Sequence, residues 1–192
     1  VAEQGFPVAI GGVHVTNDVD RVLDDIASVA FAFTNEGDRA IKIFVKVVNR
    51  DLPTVELGQI IFNDPDAADK NTRRLYFTAS QRPEEDEISV IPAYELIDID
   101  QYSQRGTIGA FYCFKPKSSR FATVLSNRGC RAQCTFCSVR NFNGVRVRQR
   151  TVKSVVDEIE LLVNDYGIDH VMWLDDDLYK NEHRMIDLCN EI

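Results

Sequence analysis

Three cysteines follow one another closely, as Cys130, Cys134 and Cys137, in the spacing C-x3-C-x2-C. They come shortly after the apolar run at residues 121–125, which is typical of a buried strand. Side chains so close together cannot all point one way from a regular helix or strand, so we expect a short loop that lets the three thiolates converge on one metal centre. Thiolates select iron–sulfur clusters, zinc or cuprous ion. A four-iron cube usually takes four cysteines, so three would leave one iron open to a substrate or cofactor.

Two simpler interpretations of the cysteines are a structural zinc site and three unrelated thiols. Zinc sites favour C-x2-C pairs combined with a second Cys or His pair. No second pair of this kind lies near residues 130–137. The spacing therefore favours the iron–sulfur cluster.

The composition is that of a globular protein in a reducing compartment. The chain has 192 residues, of which 44% are hydrophobic, which suits one large or two modest domains. It contains no apolar run long enough to span a membrane, and no signal peptide is expected. Five cysteines, three of them clustered, suit the cytoplasm better than a disulfide framework. Cys113 and Cys189 stand alone in apolar surroundings, and both are expected in the core.

The charge is unevenly distributed. A net charge of −8 argues against a general nucleic-acid-binding protein. Residues 128–153, however, contain no acidic residue. The arginines of this stretch are Arg128, Arg131, Arg140, Arg146, Arg148 and Arg150. They could surround a thiolate-ligated cluster and an anionic cofactor, or they could form a solvated basic loop.

The first part of the chain alternates strands and helices. We predict strands at residues 6–10 and 29–33, a helix at about residues 18–27 and a second helix from Asp38. The apolar residues on one face of that second helix are Ile41, Phe44, Val45 and Val48. This order is typical of a doubly wound sheet. Two strands are too few for such a sheet, so its earlier strands are expected to be missing from this chain.

The middle of the chain is less regular. Residues 59–62 and 75–78 are predicted to pair as a hairpin around a polar turn. Residues 81–89 are expected to be a charged linker, with a domain boundary near residue 90. No internal repeat or low-complexity tract is present.

The last part of the chain predicts two strand–helix units. The first is the strand at 121–125 and a helix capped by Thr151 and ended by Gly167. The buried stripe expected on this helix is Val152, Val155, Val156, Ile159 and Val163. The second unit is a strand at 170–174 and a helix from about Asn181, with Met185, Ile186 and Cys189 facing inward. In a (β/α) barrel, catalytic residues lie at the C-terminal ends of the strands, where the cysteines and Asp175-Asp176-Asp177 fall.

The loop C-x3-C-x-aromatic-C, with Phe136 as the aromatic residue, resembles the cluster loop of the radical S-adenosylmethionine (radical SAM) enzymes. The resemblance implies that Cys130, Cys134 and Cys137 hold a 4Fe-4S cluster whose open iron chelates the amino and carboxylate groups of S-adenosylmethionine. One electron then cleaves the cofactor to methionine and a 5′-deoxyadenosyl radical. The backbone of Phe136 would lie against the adenine.

Further cofactor contacts are implied by the same resemblance. Asp175-Asp176 is similar to the Asp-Asp pair of cobalamin-associated members, so Asp175 or Asp176 would accept the ammonium group of S-adenosylmethionine. Alternatively, the aspartates only begin a helix, where negative charge is favourable. Arg148, Arg150 and Glu158 resemble an Arg-x-Arg-Ser and Glu-Ile signature and would bind the same cofactor, or they could be helix-entry and surface charges.

The first part of the chain resembles the second half of a cobalamin-binding domain. The similarity lies in residues 10–16 and in Asn35-Glu36-Gly37-Asp38, where the family usually has Gly-Glu-Gly-Glu. It implies that Gly11, Gly12, Asn35, Glu36 and Gly37 lie near cobalamin. Residues 91–98 resemble the Pro-Ala-aromatic connector that joins this domain to the barrel. Asn35 and Asp38 depart from the family pattern, and His14 is expected in a loop or the core.

The expected fold class is α/β: part of a Rossmann-like cobalamin-binding-type domain, followed by the start of a (β/α) radical SAM partial TIM barrel. The expected divisions are 1–50, 51–119 and 120–192. A barrel cannot close with two strands, so the chain is expected to be an internal fragment too incomplete for activity.

The resemblance implies a radical SAM enzyme that uses cobalamin, for methyl transfer or related chemistry on an unknown small-molecule or lipid-like substrate. It would take electrons from a flavodoxin or ferredoxin, and bind no nucleic acid. The alternatives are a cobalamin-independent radical SAM enzyme with a vestigial Rossmann domain, and a non-enzymatic metal-binding module.

Overall fold

The computed structural model describes residues 4–64, 66, 67, 69, 72–105 and 119–192. The chain forms two compact units. Unit 1 consists of Val1–Pro83 and Ala132–Val145, and unit 2 of Glu84–Arg131 and Arg146–Ile192. The cysteine loop therefore contributes residues to both units. The predicted divisions at residues 50 and 119 stay predictions about the protein.

Unit 1 is built on a four-stranded mixed sheet in the order β1-β2-β3-β4. Its strands are β1 (Val8–Gly11), β2 (Val29–Phe33), β3 (Ile60–Asn63) and β4 (Arg74–Phe77). β1 and β2 are parallel, and β2, β3 and β4 are successively antiparallel. All four predicted strands are confirmed. The hairpin that sequence reasoning set apart from the Rossmann-like segment extends the same sheet.

The helices of unit 1 cover this sheet with apolar residues. They are α1 (Val13–Asn17), α2 (Val19–Asp25) and α3 (Gly37–Val48), and α6 (Val139–Asn143), from the later segment, packs on α1. The single helix predicted at 18–27 is thus α2, preceded by the separate turn of α1. Leu23 of α2 packs with Val29 and Ala32 of β2, and all three are fully buried. The parallel pair and its helical crossover form the Rossmann-like part of the fold.

α3 was correctly predicted, but it buries a different face from the expected one. Phe44 packs against Phe31 and Phe33, with ring centroids 5.0 and 5.6 Å apart. Ile41, Val45 and Val48 remain 49%, 49% and 61% exposed. The 3.6-residue period located the helix. The period did not show which side of the helix packs on the sheet, because the apolar surface of the helix is broad. It includes Ile43 and Val47, which also pack inward.

The segment predicted as a charged linker, residues 81–89, contains the boundary between the two units and also a short helix. α4 (Glu85–Ile88) begins with a capping box, in which Glu84 and Glu87 satisfy each other's backbone N–H groups. Gln81 is buried, and its backbone N–H donates to the Gln59 side chain at 2.7 Å. The acidic composition that indicated a linker belongs to the first turn of a helix, where negative charge is favourable.

Unit 2 contains the predicted pair of strand–helix units. β5 (Phe121–Val124) and β8 (His170–Trp173) are parallel neighbours, with Phe121 opposite His170 and Val124 opposite Trp173. Its helices are α4, α5 (Ile99–Arg105), α7 (Val152–Tyr166) and α8 (Glu182–Glu191). A short antiparallel pair, β6 (Asn127–Arg128) with β7 (Arg148–Gln149), follows β5. The order β5, α7, β8, α8 is the one expected at the start of a (β/α) barrel.

The ends of α7 match the predicted signals. The Thr151 side chain accepts a hydrogen bond from the Ser154 N–H at 3.1 Å, as an N-cap does. Gly167 follows the helix in the left-handed region with φ 62°, which glycine adopts without strain. These local signals were read correctly because cap chemistry depends on only a few neighbouring residues.

Several predictions about burial in unit 2 need correction. On α7, Leu162 is buried whereas Val163 is exposed. On α8, Leu188 is fully buried and Met185 packs against the core, but Ile186 is exposed. Cys189 is also exposed, so its predicted place in the core was wrong. The other lone cysteine, Cys113, lies outside the described residues.

No helix in the described part of the chain is both long enough and apolar enough to cross a membrane.

Candidate metal and cofactor site

The cysteine loop begins in unit 2, at the end of β6. Gly129 there has φ 94°, in the left-handed region, and Cys130 follows it, partly buried. Cys134 and Cys137 belong to unit 1 and are exposed. The Cys137 N–H donates to the Cys134 carbonyl at 3.3 Å, so the two cysteines lie in one tight turn. None of the three cysteines forms a disulfide bond.

The chemistry of these donors fits an iron–sulfur cluster. Three cysteines without disulfide bonds, two of them exposed in a turn without regular structure, supply the sulfur donors that a soft metal binds. Among the described residues, no three Cys, His, Asp or Glu side chains are gathered as they would be around a metal ion. Metal sites often take their final shape only when the metal binds. The aromatic residue Phe136 is 91% exposed.

In unit 2, Asp175 joins the ends of the two parallel strands. Its carboxylate accepts hydrogen bonds from the Ser126 N–H and the Ser126 hydroxyl, each at 3.0 Å, and from the Asn127 N–H. Burial raises the pKa of Asp175, although the hydrogen bonds from Ser126 and Asn127 act in the opposite direction. Sequence reasoning proposed Asp175 as a cofactor ligand. The geometry gives it a second task, which is to hold the segment after β5 against the segment after β8.

The next two aspartates have different surroundings. Asp177 forms an ion pair with Arg131, with Oδ2 and Nε 3.0 Å apart. The Asn127 side chain donates to the Asp177 carbonyl at 3.0 Å, which secures the same loop. Asp176 is exposed, whereas Asp175 and Asp177 are half-buried. Of the two proposed ammonium acceptors, Asp176 is therefore the more accessible to a ligand.

Arg150 and Glu158 form a buried ion pair, with side chains 6% and 2% exposed. Arg150 also donates to the Leu125 carbonyl at 2.9 Å and to the Ser154 hydroxyl at 2.8 Å. Tyr94 donates its hydroxyl to the other Glu158 oxygen. Burial, and then the hydrogen bond to Glu158, raise the pKa of Tyr94. This network ties α7 to the end of β5, and a cofactor role for Arg150 and Glu158 stays a prediction.

Two further arginines of unit 2 are buried or half-buried. Arg148 is buried on β7, opposite Arg128. Arg184, on α8, donates to the Arg150 carbonyl at 2.8 Å and to the Ser126 carbonyl at 3.3 Å. Burial lowers the pKa of Arg184. Sequence reasoning missed Arg184, since an arginine on a polar helix face carries no signal that it reaches back to a strand end.

Unit 1 contains a second candidate site, an apolar pocket of about 500 Å³. Of the five residues predicted near cobalamin, Gly11, Gly12, Asn35 and Gly37 line it. The other lining residues are Ala9, Ile10, Phe33, Ile41, Phe44, Val45 and Phe142. Ile41 and Val45, which are exposed on α3, thus form part of the wall of this pocket. Sequence analysis did not predict that Phe142 of α6 lines this pocket, because the other lining residues are far from it in the sequence.

The backbone conformation around this pocket favours glycine and asparagine at two positions. Gly12 has φ 104°, and a Cβ added to it would meet no atom within 4 Å. Asn35 has φ 57°, the left-handed region that asparagine tolerates better than most residues. Its N–H donates to the Thr16 hydroxyl at 2.8 Å. Glu36 is buried and does not line the pocket, and its carbonyl accepts from the Gln59 side chain at 3.1 Å.

Comparison with known proteins decides the kind of fold. No protein-family model matches the sequence. The structure of OxsB, a cobalamin-dependent S-adenosylmethionine radical enzyme with aqua-cobalamin and S-adenosylmethionine bound, superposes with a TM-score of 0.70 over 95% of this chain, at 17% identity. TsrM from Kitasatospora setae, a radical S-adenosylmethionine methyltransferase with cobalamin and a [4Fe-4S] cluster bound, gives 0.63 over 96%, at 18% identity. The chain has the fold of part of a cobalamin-dependent radical SAM enzyme.

This likeness confirms the α/β fold class predicted from the alternation of strands and helices, and it agrees with the resemblance seen in the cysteine loop and the glycine pair. Curated relatives agree with it. Cytidylyl-2-hydroxyethylphosphonate methyltransferase from Streptomyces wedmorensis is 29% identical over 88% of this chain. Anaerobic magnesium-protoporphyrin IX monomethyl ester cyclase from Cereibacter sphaeroides is 28% identical over 95%.

The chain spans only part of each of these proteins. It covers 34% of the methyltransferase and 28% of the cyclase. It covers 24% of the OxsB chain and 33% of the TsrM chain.

Proposed function

We propose that this protein is a radical SAM enzyme in which Cys130, Cys134 and Cys137 bind a 4Fe-4S cluster and S-adenosylmethionine binds beside it. The observation that carries the proposal is a set of three cysteines outside any disulfide, at C-x3-C-x2-C spacing, in the loop that follows β5 and the short strand β6. The C-terminal end of such a strand is where barrel enzymes place their chemistry.

The protein's own residues would bind and orient the cofactor. When bound, a cluster of this kind delivers one electron that cleaves S-adenosylmethionine to methionine and a 5′-deoxyadenosyl radical. Asp176 would accept a charge-assisted hydrogen bond from the cofactor's ammonium group. The backbone of Phe136 would lie along the adenine. Asp175, Arg150 and Glu158 would act mainly by keeping the loops at the strand ends in place.

We further propose that the apolar pocket of unit 1 binds cobalamin. The pocket lies at the carboxyl end of β1, the edge at which doubly wound sheets bind their ligands. Gly11 and Gly12 allow a bulky ligand to approach the backbone closely. OxsB and TsrM were solved with cobalamin bound, and both contain this fold.

The reaction that follows radical formation is proposed only as a class. One curated relative is a methyltransferase and another is a cyclase, so methyl transfer or related carbon chemistry suits both. The electron donor would be a small redox protein such as a flavodoxin or ferredoxin. A cobalamin-independent radical SAM enzyme is the remaining alternative, favoured by Asn35 in place of the family's glycine.

The proposal is tested on the full-length protein, reconstituted anaerobically with iron and sulfide. Each of the variants Cys130→Ala, Cys134→Ala and Cys137→Ala is expected to lose the visible cluster absorbance and the 5′-deoxyadenosine formed after reduction. Cys189→Ala is the matched control, since Cys189 is also a free, exposed thiol, and it should keep both. One zinc ion per chain with no labile sulfide would contradict the cluster. Turnover without retained corrin would support the cobalamin-independent alternative.

A further inference from the structure

Within unit 1, the helix that follows the cysteines is held against the loop that lines the apolar pocket. α6 begins at Val139, just after Cys137, and packs on α1. Phe142 of α6 forms part of the pocket wall. The Asn141 side chain donates to the Asn17 side chain at 2.7 Å, at the end of α1. The segment that leaves the cysteines is therefore also part of the candidate cobalamin pocket.

Arg82 connects α6 to the pocket loop through hydrogen bonds. Its Nη2 donates to the Asn35 side-chain oxygen at 2.9 Å and to the Asn141 carbonyl at 3.1 Å. Its Nε donates to the Phe142 carbonyl at 3.4 Å. One planar guanidinium thus donates hydrogen bonds both to the side chain of Asn35, in the loop that lines the pocket, and to backbone carbonyls in the last turn of α6. A lysine could not make this set, because its donors all come from a single nitrogen.

The residues at positions 144 and 35 both accommodate this guanidinium. Gly144 follows α6 with φ 89°, and a Cβ added there would lie 3.3 Å from Arg82 Nε. The positive charge also lies at the C-terminal end of a helix, where exposed carbonyls favour a cation. At position 35, asparagine adopts the left-handed backbone and supplies the oxygen that Arg82 needs, which a glycine could not do.

We propose that Arg82 is a positioning residue that fixes α6 against the pocket, so that corrin binding and the position of the chain leaving Cys137 depend on each other. This inference rests on the proposed function, because it takes the pocket ligand to be cobalamin. Arg82 acts through Asn35 and through the carbonyls of α6. It does not itself line the pocket.

The test compares Arg82→Met and Arg82→Lys in the full-length protein. Arg21→Met is the matched control, because Arg21 lies on α2 with its side chain 76% exposed. Hydrogen exchange of the peptide that contains residues 139–144 reports on α6 with and without hydroxocobalamin. Corrin absorbance, measured in a titration, gives the affinity.

In Arg82→Met, we expect faster exchange in α6 and corrin binding weakened by about tenfold, the effect of losing charge-assisted hydrogen bonds. Bound corrin should slow exchange of α6 in the wild type but not in this variant. Arg82→Lys should fall between the two, and Arg21→Met should match the wild type. Exchange in β1 and β2 should not change.

Unchanged exchange in α6 of Arg82→Met would overturn the inference, and so would faster exchange with wild-type corrin affinity. If the wild type retains no corrin at all, the cobalamin part of the proposed function fails, and the dependence on corrin fails with it. The exchange of ligand-free Arg82→Met then still decides whether Arg82 holds α6.

Discussion

Three consecutive aspartates, residues 175–177, follow β8, and the surroundings of each one are different. Asp175 accepts hydrogen bonds from Ser126 and Asn127, and Asp177 is paired with Arg131. Asp176 is exposed. A carboxylate that holds two loops together is costly to change for structural reasons, whereas an exposed one can be changed with little effect on the fold. Single substitutions can therefore distinguish an aspartate that binds the cofactor from one that supports the fold.

We expect Asp176→Asn to weaken S-adenosylmethionine binding by on the order of tenfold to a hundredfold, because a charge-assisted hydrogen bond is lost. The cluster absorbance and thermal stability should be retained. Binding can be measured by calorimetry on the reconstituted full-length protein. Asp165→Asn, at an exposed position on α7, is the control. Unchanged affinity in Asp176→Asn, Asp175→Asn and the double variant would mean that these aspartates serve only the fold.

At the scale of elements, α7 is held by a buried ion pair rather than by apolar packing alone. Arg150 precedes the helix, and Glu158 lies within it, so the pair links the helix to the chain that enters it. Tyr94 and Ser154 contribute the remaining polar contacts. A buried charge is stable only while its partner is present. This arrangement accounts for Arg150 and Glu158 without any ligand.

We expect Glu158→Leu to lower the free energy of unfolding by about 3–5 kcal/mol, because Arg150 would be left buried without its carboxylate. The double variant Arg150→Met/Glu158→Leu should recover most of this loss. The free energy of unfolding of the single and the double variant can be measured by chemical denaturation. Lys153→Met, which removes a solvent-exposed pair with Asp157 on the same helix, should change stability little.

The same double variant also tests the predicted cofactor role. If it is folded and binds S-adenosylmethionine like the wild type, the ion pair is structural. A folded double variant that no longer binds the cofactor would instead support the assignment of Arg150 and Glu158 to the cofactor site.

At the scale of the whole molecule, each unit holds one candidate ligand site at the carboxyl end of a parallel strand. In unit 1 the apolar pocket lies after β1, and in unit 2 the aspartates follow β8. Side chains and backbone groups converge at such edges because parallel strands all end there. The glycines at the first edge and the carboxylates at the second suit different ligands, one bulky and apolar and one cationic.

We expect Gly12→Leu to weaken corrin binding on the order of tenfold to a hundredfold, because the new side chain would extend into the pocket. Corrin absorbance of the purified full-length protein measures the occupancy. Gly5→Leu is the matched control, since Gly5 also has a positive φ, 79°, with open space around it, but does not line the pocket. Equal occupancy in the two variants would place the corrin elsewhere.

Sequence alone predicted the features that depend on neighbouring residues. All the strands of the two main sheets, the N-cap Thr151, the terminal Gly167 and the C-x3-C-x2-C loop were found in this way. Each results from periodicity, backbone freedom or donor chemistry within a few residues. The family resemblance came from the same short stretches.

Tertiary structure decided what depends on residues far apart in the chain. It placed the hairpin in the Rossmann-like sheet, gave three adjacent aspartates different surroundings, and brought Arg184 to the carbonyl of Ser126. It also exposed Cys189 and made Phe142 a wall of the pocket. Hydrogen-bond partners and burial are set by packing between distant segments, and no local pattern records which segments will meet.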